Sequence, residues 1–185
     1  MATATLSQFR NEPVADFSQP ANRQAMEIAL QKVRSEFGRE YPLHIGHESI
    51  STGDRLTSVN PSNPAEVVGV HHRSTTSLAN RAVDSAFAAF PQWAATPAAD
   101  RVRMALETAR ILRLRKFEFD AWLVYEAGKT WPEADADVSE AIDFGEYYAR
   151  DMHRLASPQP VVQLPGEHDE MIYIQIGRAS CRERV

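Results

Sequence analysis

Cysteine is nearly missing from this chain: among 185 residues only Cys181 carries a thiol. That excludes an internal disulfide framework and leaves the cytoplasm as the expected compartment. No apolar run approaches the roughly 20 residues that a membrane-spanning helix needs. The opening stretch, MATATLSQFRNEPVADF, has no apolar signal region and carries Glu12 and Asp16 early. Neither a secretory signal nor a transit peptide fits that pattern. There is no surplus of positive charge either. A net charge of −5 gives no basic footprint for a nucleic acid or an anionic membrane surface. No glycine-rich loop joins a strand to a helix, so no dinucleotide cradle is expected in this segment. No GxSxG pattern or Ser-His-Asp arrangement can be read. His71 and His72 are adjacent in a strand and face opposite sides, and the other histidines are scattered. No metal site is expected from them.

What is present is ordinary for a soluble globular domain: 43% hydrophobic and 24% charged residues, with length enough for one sizeable core. No internal repeat, low-complexity tract or linker interrupts it. The last ten residues, IGRASCRERV, stand apart. They crowd Arg178, Arg182 and Arg184 into an otherwise acidic chain. They also match, residue for residue, the translation of a common sequencing adaptor. Residues 1–175 are therefore read as the domain and 176–185 as a non-native tail, with Gln175 at the junction. Setting aside the tail's three arginines and one glutamate makes the net charge −7. It also removes Cys181, so no thiol nucleophile is expected in the domain. The natural protein is expected to continue past Ile174.

The pattern predicts a helix over Asn22–Phe37, with Met26, Ile28, Ala29 and Val33 apolar and Gly38 as a stop. YPLHIGHESI and RLTSVNP then read as short antiparallel strands around STGD, followed by a proline turn and a strand over Val67–His71. A helix from Thr76 carries Leu78, Ala82, Ala86, Phe87 and Phe90, and Pro91 is expected to end or kink it. Thr96 is expected to cap the next helix, with Pro97 in its first turn and Asp100 completing a near capping box. Helix continues through KFEFDAWLVYEA to Ala127, with Gly128 just past its end. Thr130 and Glu133 form the capping pair of a long final helix. QPVVQLPG and DEMIYIQ read as two strands around a GEHD turn, the start of a new sheet.

The final helix carries two faces. Ala134, Val138, Ala141, Ile142, Gly145, Ala149, Met152 and Leu155 make a small, apolar face for packing. Gly145 costs about 1 kcal/mol in a helix interior, a cost that close backbone packing would justify. The opposite stripe is Glu133, Asp137, Glu140, Phe144, Tyr147 and Asp151. Asp135 joins Glu133 and Asp137 as acids favouring the helix's positive end. Two readings of the stripe stand. It is a solvated face with one apolar outlier, or it borders a pocket in which Glu140 and Phe144 meet a ligand.

The segment EAGKTWPEADADVSEAIDFGEYYAR resembles the L-glutamate γ-semialdehyde dehydrogenase (1-pyrroline-5-carboxylate dehydrogenase) branch of the aldehyde dehydrogenase superfamily. VNPSNPAEVVG is similar to that superfamily's Asn-Pro turn, and AFPQWAATPAADRVRMALETARILRLRKFEF to its helical pair. The resemblance runs from about Phe9 to Ile174. One departure is LHIGHE, where the family usually has Asn-Gly or Gly-Gly, so His47 puts the local turn type in question. The resemblance implies an α/β fold of which this chain holds the first, incomplete part. It implies oxidation of the semialdehyde to L-glutamate with NAD, in proline degradation, by a homo-oligomeric parent. A cysteine thiolate would attack the aldehyde, hydride would pass to the nicotinamide, and a glutamate-activated water would release the thioester. Those residues and most cofactor contacts would lie beyond Ile174, so the chain alone is expected to be inactive, with apolar surface exposed. The resemblance places Glu140 at the substrate entrance, with Phe144 one turn on. It matches Glu126 to a position where some members have an acid near a monovalent cation, although a helix-end acid also explains that residue.

Three rivals are weighed. The chain could belong to an aldehyde dehydrogenase of other substrate, to a fusion with proline dehydrogenase, or to a non-enzymatic helical interaction module. The start MATATLSQ favours a stand-alone enzyme over the fusion. The strand-like MIYIQ argues against the module.

Overall fold

The computed structural model describes residues 6–174. The adaptor-like tail and Cys181 lie outside the described residues. Helix α1 spans Pro20–Arg34, with a proline in its first turn and Lys32 and Arg34 in its last. It buries Met26, Ala29 and Val33, one helical stripe. It stops three residues earlier than the pattern predicts. Ser35 is the reason: its Oγ donates to the Lys32 carbonyl at 2.6 Å, and its N–H is shared between Gln31 and Lys32. The chain then turns, and Gly38 donates its N–H to Val67.

Five strands follow: β1 (Arg39–Tyr41), β2 (Leu43–Ile45), β3 (Glu48–Ile50), β4 (Arg55–Asn60) and β5 (Asn63–His72). They form a β1-β5-β4 sheet and a separate β2-β3 hairpin. The sheet is mixed, because β1 runs parallel to β5 while β4 and β5 are antiparallel. This corrects the expected pairing in two ways. The stretch LHIGHESI folds back on itself instead of pairing with β4. The three-residue β1 is too short for its alternation to show in the sequence. The β2-β3 turn is Gly46–His47, and only Gly46 has positive φ, at +60°. That is the type II′ pattern, in which the second position accepts an ordinary residue. His47 is therefore no strain on the hairpin. The β4-β5 turn is held by Asn60, whose Oδ1 accepts the Ser62 N–H at 2.9 Å.

Helix α2 spans Thr76–Ala95 and is capped by Thr75, whose hydroxyl accepts the Leu78 N–H at 3.2 Å. It runs on past Pro91, which therefore does not end it. The proline forfeits one hydrogen bond, but only the last turn remains beyond it, so little is lost. No residue of α2 is buried, and Phe87 is 70% exposed. Helix α3 (Ala98–Leu114) starts after Pro97. The expected Thr96–Asp100 box is absent. Thr96 instead closes α2, its hydroxyl donating to the Gln92 carbonyl at 3.0 Å. The helix does not flow into the next one, because Arg115 leaves helical geometry at φ −109°, ψ 19°. Its guanidinium pairs with Glu118 and lies over the Phe119 ring.

Helix α4 (Lys116–Ala127) ends on Gly128 at φ +67°, the left-handed stop expected of a glycine at that place. A Cβ at Gly128 would lie 3.0 Å from Pro61 Cγ in the β4-β5 turn. Gly128→Ala is expected to cost about 1–2 kcal/mol from the left-handed backbone alone. In a chain of this length, each 1 kcal/mol lowers Tm by about 2–4 °C, which differential scanning fluorimetry reads.

Helix α5 (Trp131–Leu155) opens as expected: Glu133 Oε2 accepts from the Thr130 N–H at 3.0 Å and from its hydroxyl at 2.8 Å. The small face packs on α3, where Gly145 allows Ala109 to approach. A Cβ there would sit 3.2 Å from the Ala109 methyl. Ala141 is the exception on that face, being exposed. Two apolar clusters result. Met26, Ala29, Val33 and Ala121 join α1 to α4. Ala109, Val138 and Ile142, with Leu112, Phe119 and Leu123 against them, wedge α3, α4 and α5 together.

The two strands predicted after α5 are not formed. The described residues 156–174 contain no strand, and Val162, Leu164, Ile172 and Ile174 are exposed. Alternating apolar residues become a strand only where a neighbour accepts their backbone bonds. Among the described residues none does. The turn between them does form. Gly166 takes φ +88°, and Gln163 bridges it by side-chain bonds to both the N–H and the carbonyl of Asp169.

Candidate functional site

Glu140 and Phe144 are four residues apart on α5, so they share its outer face. Glu140 is exposed and forms no hydrogen bond or ion pair with a described residue. The other acids of the stripe are engaged. Glu133 caps the helix, Asp137 pairs with Lys129, and Asp151 pairs with Arg154 at 2.7 Å. Phe144 is half exposed and stacks on Tyr148, with ring centroids 5.8 Å apart. Tyr148 meets Tyr147 edge-on at 5.5 Å, and Phe9 from the N-terminal arm meets Tyr147 at the same distance. The helix thus sets Glu140, without a partner among the described residues, one turn from an aromatic row. Tyr148 belongs to that row, although the sequence pattern alone did not single it out. Its spacing of four from Phe144 was the available signal.

Glu126 stands at the end of α4, where Ser58 Oγ donates to its Oε1 at 3.1 Å. It borders a cleft of about 290 Å³ between α4 and the sheet, with Tyr41, His71, Glu118 and Trp122 among its walls. His71 stacks on Tyr41, centroids 5.2 Å apart. His72 points the other way, is buried, and accepts the Thr52 N–H on Nδ1 at 2.7 Å. On the cleft wall, Glu118 bonds Arg115 and Lys32, which together hold its carboxyl down to about 2. That acid is a clamp between α1 and α4.

A third group is invisible in the sequence pattern. Lys116 and Asp120 on α4 meet Asp135 on α5, and both carboxyl groups are fully buried. Its place near the start of α5 makes Asp135 look like an acid serving the helix end. It turns inward because the N-terminal arm covers it, an event no local pattern reveals.

Among the described residues no strand-to-helix junction makes a glycine-rich dinucleotide cradle. The β5-to-α2 junction, Arg73–Thr75, is a strand-to-helix turn without glycine. It offers no close backbone approach to a pyrophosphate. No described residue is assigned to NAD. No described helix is long and apolar enough to cross a membrane.

The geometry has clear counterparts. The chain is 50% identical over 169 residues to a 1-pyrroline-5-carboxylate dehydrogenase of Geobacillus thermodenitrificans, a match that covers 91% of this chain and 33% of that protein. Its structure superposes on that of a point mutant of the Thermus thermophilus 1-pyrroline-5-carboxylate dehydrogenase with a TM-score of 0.87 and 48% identity. The match covers 92% of this chain and 33% of the other. A 1-pyrroline-5-carboxylate dehydrogenase from Thermus with bound NAD gives the same values. Proline utilization A from Bdellovibrio bacteriovorus matches with a TM-score of 0.88 at 35% identity, over 94% of this chain and 18% of that one. The chain spans about a third of the length of the curated relatives it matches. Residues 48–177 match the aldehyde dehydrogenase family model, and this chain belongs to the aldehyde dehydrogenase family, whose fold it shares in its N-terminal part.

Proposed function

We propose that this chain is the N-terminal portion of an NAD-dependent dehydrogenase that oxidises L-glutamate γ-semialdehyde to L-glutamate in proline degradation. The observation that carries this reading is the 50% identity, held over 169 residues, to a relative named for that chemistry. Within this portion the chain's task is scaffolding and substrate approach. Glu140 has no partner among the described residues, so its carboxylate is available to an ammonium group of the substrate. Phe144 and Tyr148 offer an apolar wall to the carbon chain beside it. The chemical step itself belongs to residues outside this portion. The parent works on a small-molecule aldehyde as a cytoplasmic homo-oligomer and needs no nucleic acid or membrane. The likeness to proline utilization A is what the same module inside a fusion would give. The higher identity to the Geobacillus and Thermus chains favours the stand-alone form.

The test is an NADH-absorbance assay on protein expressed from the uninterrupted gene, beside the 185-residue chain. L-glutamate γ-semialdehyde should be oxidised by the long protein in preference to simple aliphatic aldehydes, and not by the short chain. In the long protein, Glu140→Gln should raise KM about tenfold with kcat little changed, the loss of one charge-assisted contact. Preference for another aldehyde, or NAD reduction by the short chain, refutes the reading.

A further inference from the structure

The N-terminal arm is fastened to α4 and α5 at one buried point. Lys116 Nζ donates to the Pro13 carbonyl at 2.9 Å and lies 2.8 Å from Asp135 Oδ1. The Ala15 N–H donates to Asp135 Oδ2 at 2.7 Å. One carboxylate and one ammonium thus grip both sides of Pro13–Ala15. The second carboxyl group, Asp120, is one turn along α4 from Lys116. It is fully buried, and neither of its oxygens meets a donor among the described residues. Two anions with a single cation cannot be held in such a place, since an ionised carboxylate without hydrogen bonds is too costly to bury. A proton on Asp120 resolves the count, and the acceptor beside it is Asp135. The Lys116 contact falls short of hydrogen-bond angles, leaving Asp135 Oδ1 able to accept that proton.

We infer that Asp120, Asp135 and Lys116 form a proton-dependent latch that holds the N-terminal arm against α4 and α5 and loosens when the proton between the carboxyl groups is lost. The surroundings isolate the switch. On its own helix Asp120 faces Lys116, and from α5 it faces Asp135. The charged side chains of the arm are engaged elsewhere, Glu12 with Arg113 and Asp16 with Ser18 and Gln19. Helix α1 packs Met26, Ala29 and Val33 against the neighbouring Ala121, while Lys32 is taken by Glu118. Burial, followed by the charge of Asp135, pushes the Asp120 carboxyl up to about 7, with Lys116 acting in the opposite sense. The folded chain therefore holds a proton that the unfolded chain releases near pH ~4. Stability conferred by this proton is complete below about pH 4 and is lost as pH rises to about 7. Above neutrality, ionised Asp120 competes with Asp135 and Pro13 for Lys116, and the arm loses its grip.

Hydrogen–deuterium exchange on the 185-residue chain tests this, read at Ala15 from about pH 5.5 to 8.5 with intrinsic exchange rates divided out. Protection of that amide should fall about tenfold or more across the range, with a midpoint near 7. Asp120→Asn, which keeps the shape without the ionisation, should hold protection steady and high. A flat wild-type profile, or the same fall in the variant, overturns the latch. If the variant does not fold, the wild-type aspartate carboxyl carbon resonances decide. One titrating near neutrality supports the latch, and all titrating below about pH 5 refutes it.

Discussion

Lys116→Met should cost about 3–5 kcal/mol of stability at pH 8, the loss expected when one partner of a buried ion pair is removed. Methionine follows the path of the lysine stem, so packing is largely kept and the missing charge carries the effect. Lys116 has a side chain only 10% exposed, and among the described residues it is the one cation beside two fully buried carboxyl groups. Its removal leaves Asp135 facing Asp120 with no counter-ion and frees the Pro13 carbonyl as well. The loss should shrink at pH 5, because protons can neutralise the two acids that lysine no longer balances. Adding Asp135→Asn should return part of the loss, since the second carboxylate then needs no cation. Urea denaturation at the two pH values measures all of this. Equal losses at pH 5 and pH 8 would show that Lys116 does not act by balancing the two acids.

Ile142→Ala should be comparably damaging, at about 2–5 kcal/mol for a large-to-small change in a packed core. Ile142 is fully buried where α3, α4 and α5 meet, against Ala109, Val138, Leu112, Phe119 and Leu123. The neighbours are held by three helices and have little room to collapse into the void. Phe144, two residues on, faces the other way and is half exposed. Phe144→Ala should therefore stay within about 0.5 kcal/mol, as surface changes do. The pair separates scaffold from site on one helix. Equilibrium denaturation reads the first variant as a lowered midpoint with the slope unchanged. Equal destabilisation by both would mean that the aromatic row is core rather than a surface for a ligand.

Features written in a few adjacent residues are legible from the sequence alone. Gly128 as a left-handed stop, the Thr130–Glu133 cap and the close approach at Gly145 all come from short-range chemistry. The face shared by Glu140 and Phe144 comes from helical spacing. Features that depend on a distant partner are misread or missed. Segments 159–166 and 169–175 carry strand-like alternation, yet none of the described residues there pairs. Thr96 has the right residue type for a cap but is claimed by the helix before it. Asp120, Asp135 and Lys116 look like ordinary surface charges until the arm closes over them. Spacing of four links Lys116 to Asp120, but nothing local shows that both face inward.

Helix α2 is well capped, yet it has no buried side chain and touches its surroundings chiefly at β2. Its survival rests on propensity, the Thr75 cap and an Arg81–Glu48 pair to β3, whereas most helical stability in proteins comes from a packed face. The molecule thus melts in tiers. Residues 76–95 can open and close many times while the α1–α4–α5 block stays shut, so a denaturation curve tracking helix content will not coincide with one tracking the block's tryptophans.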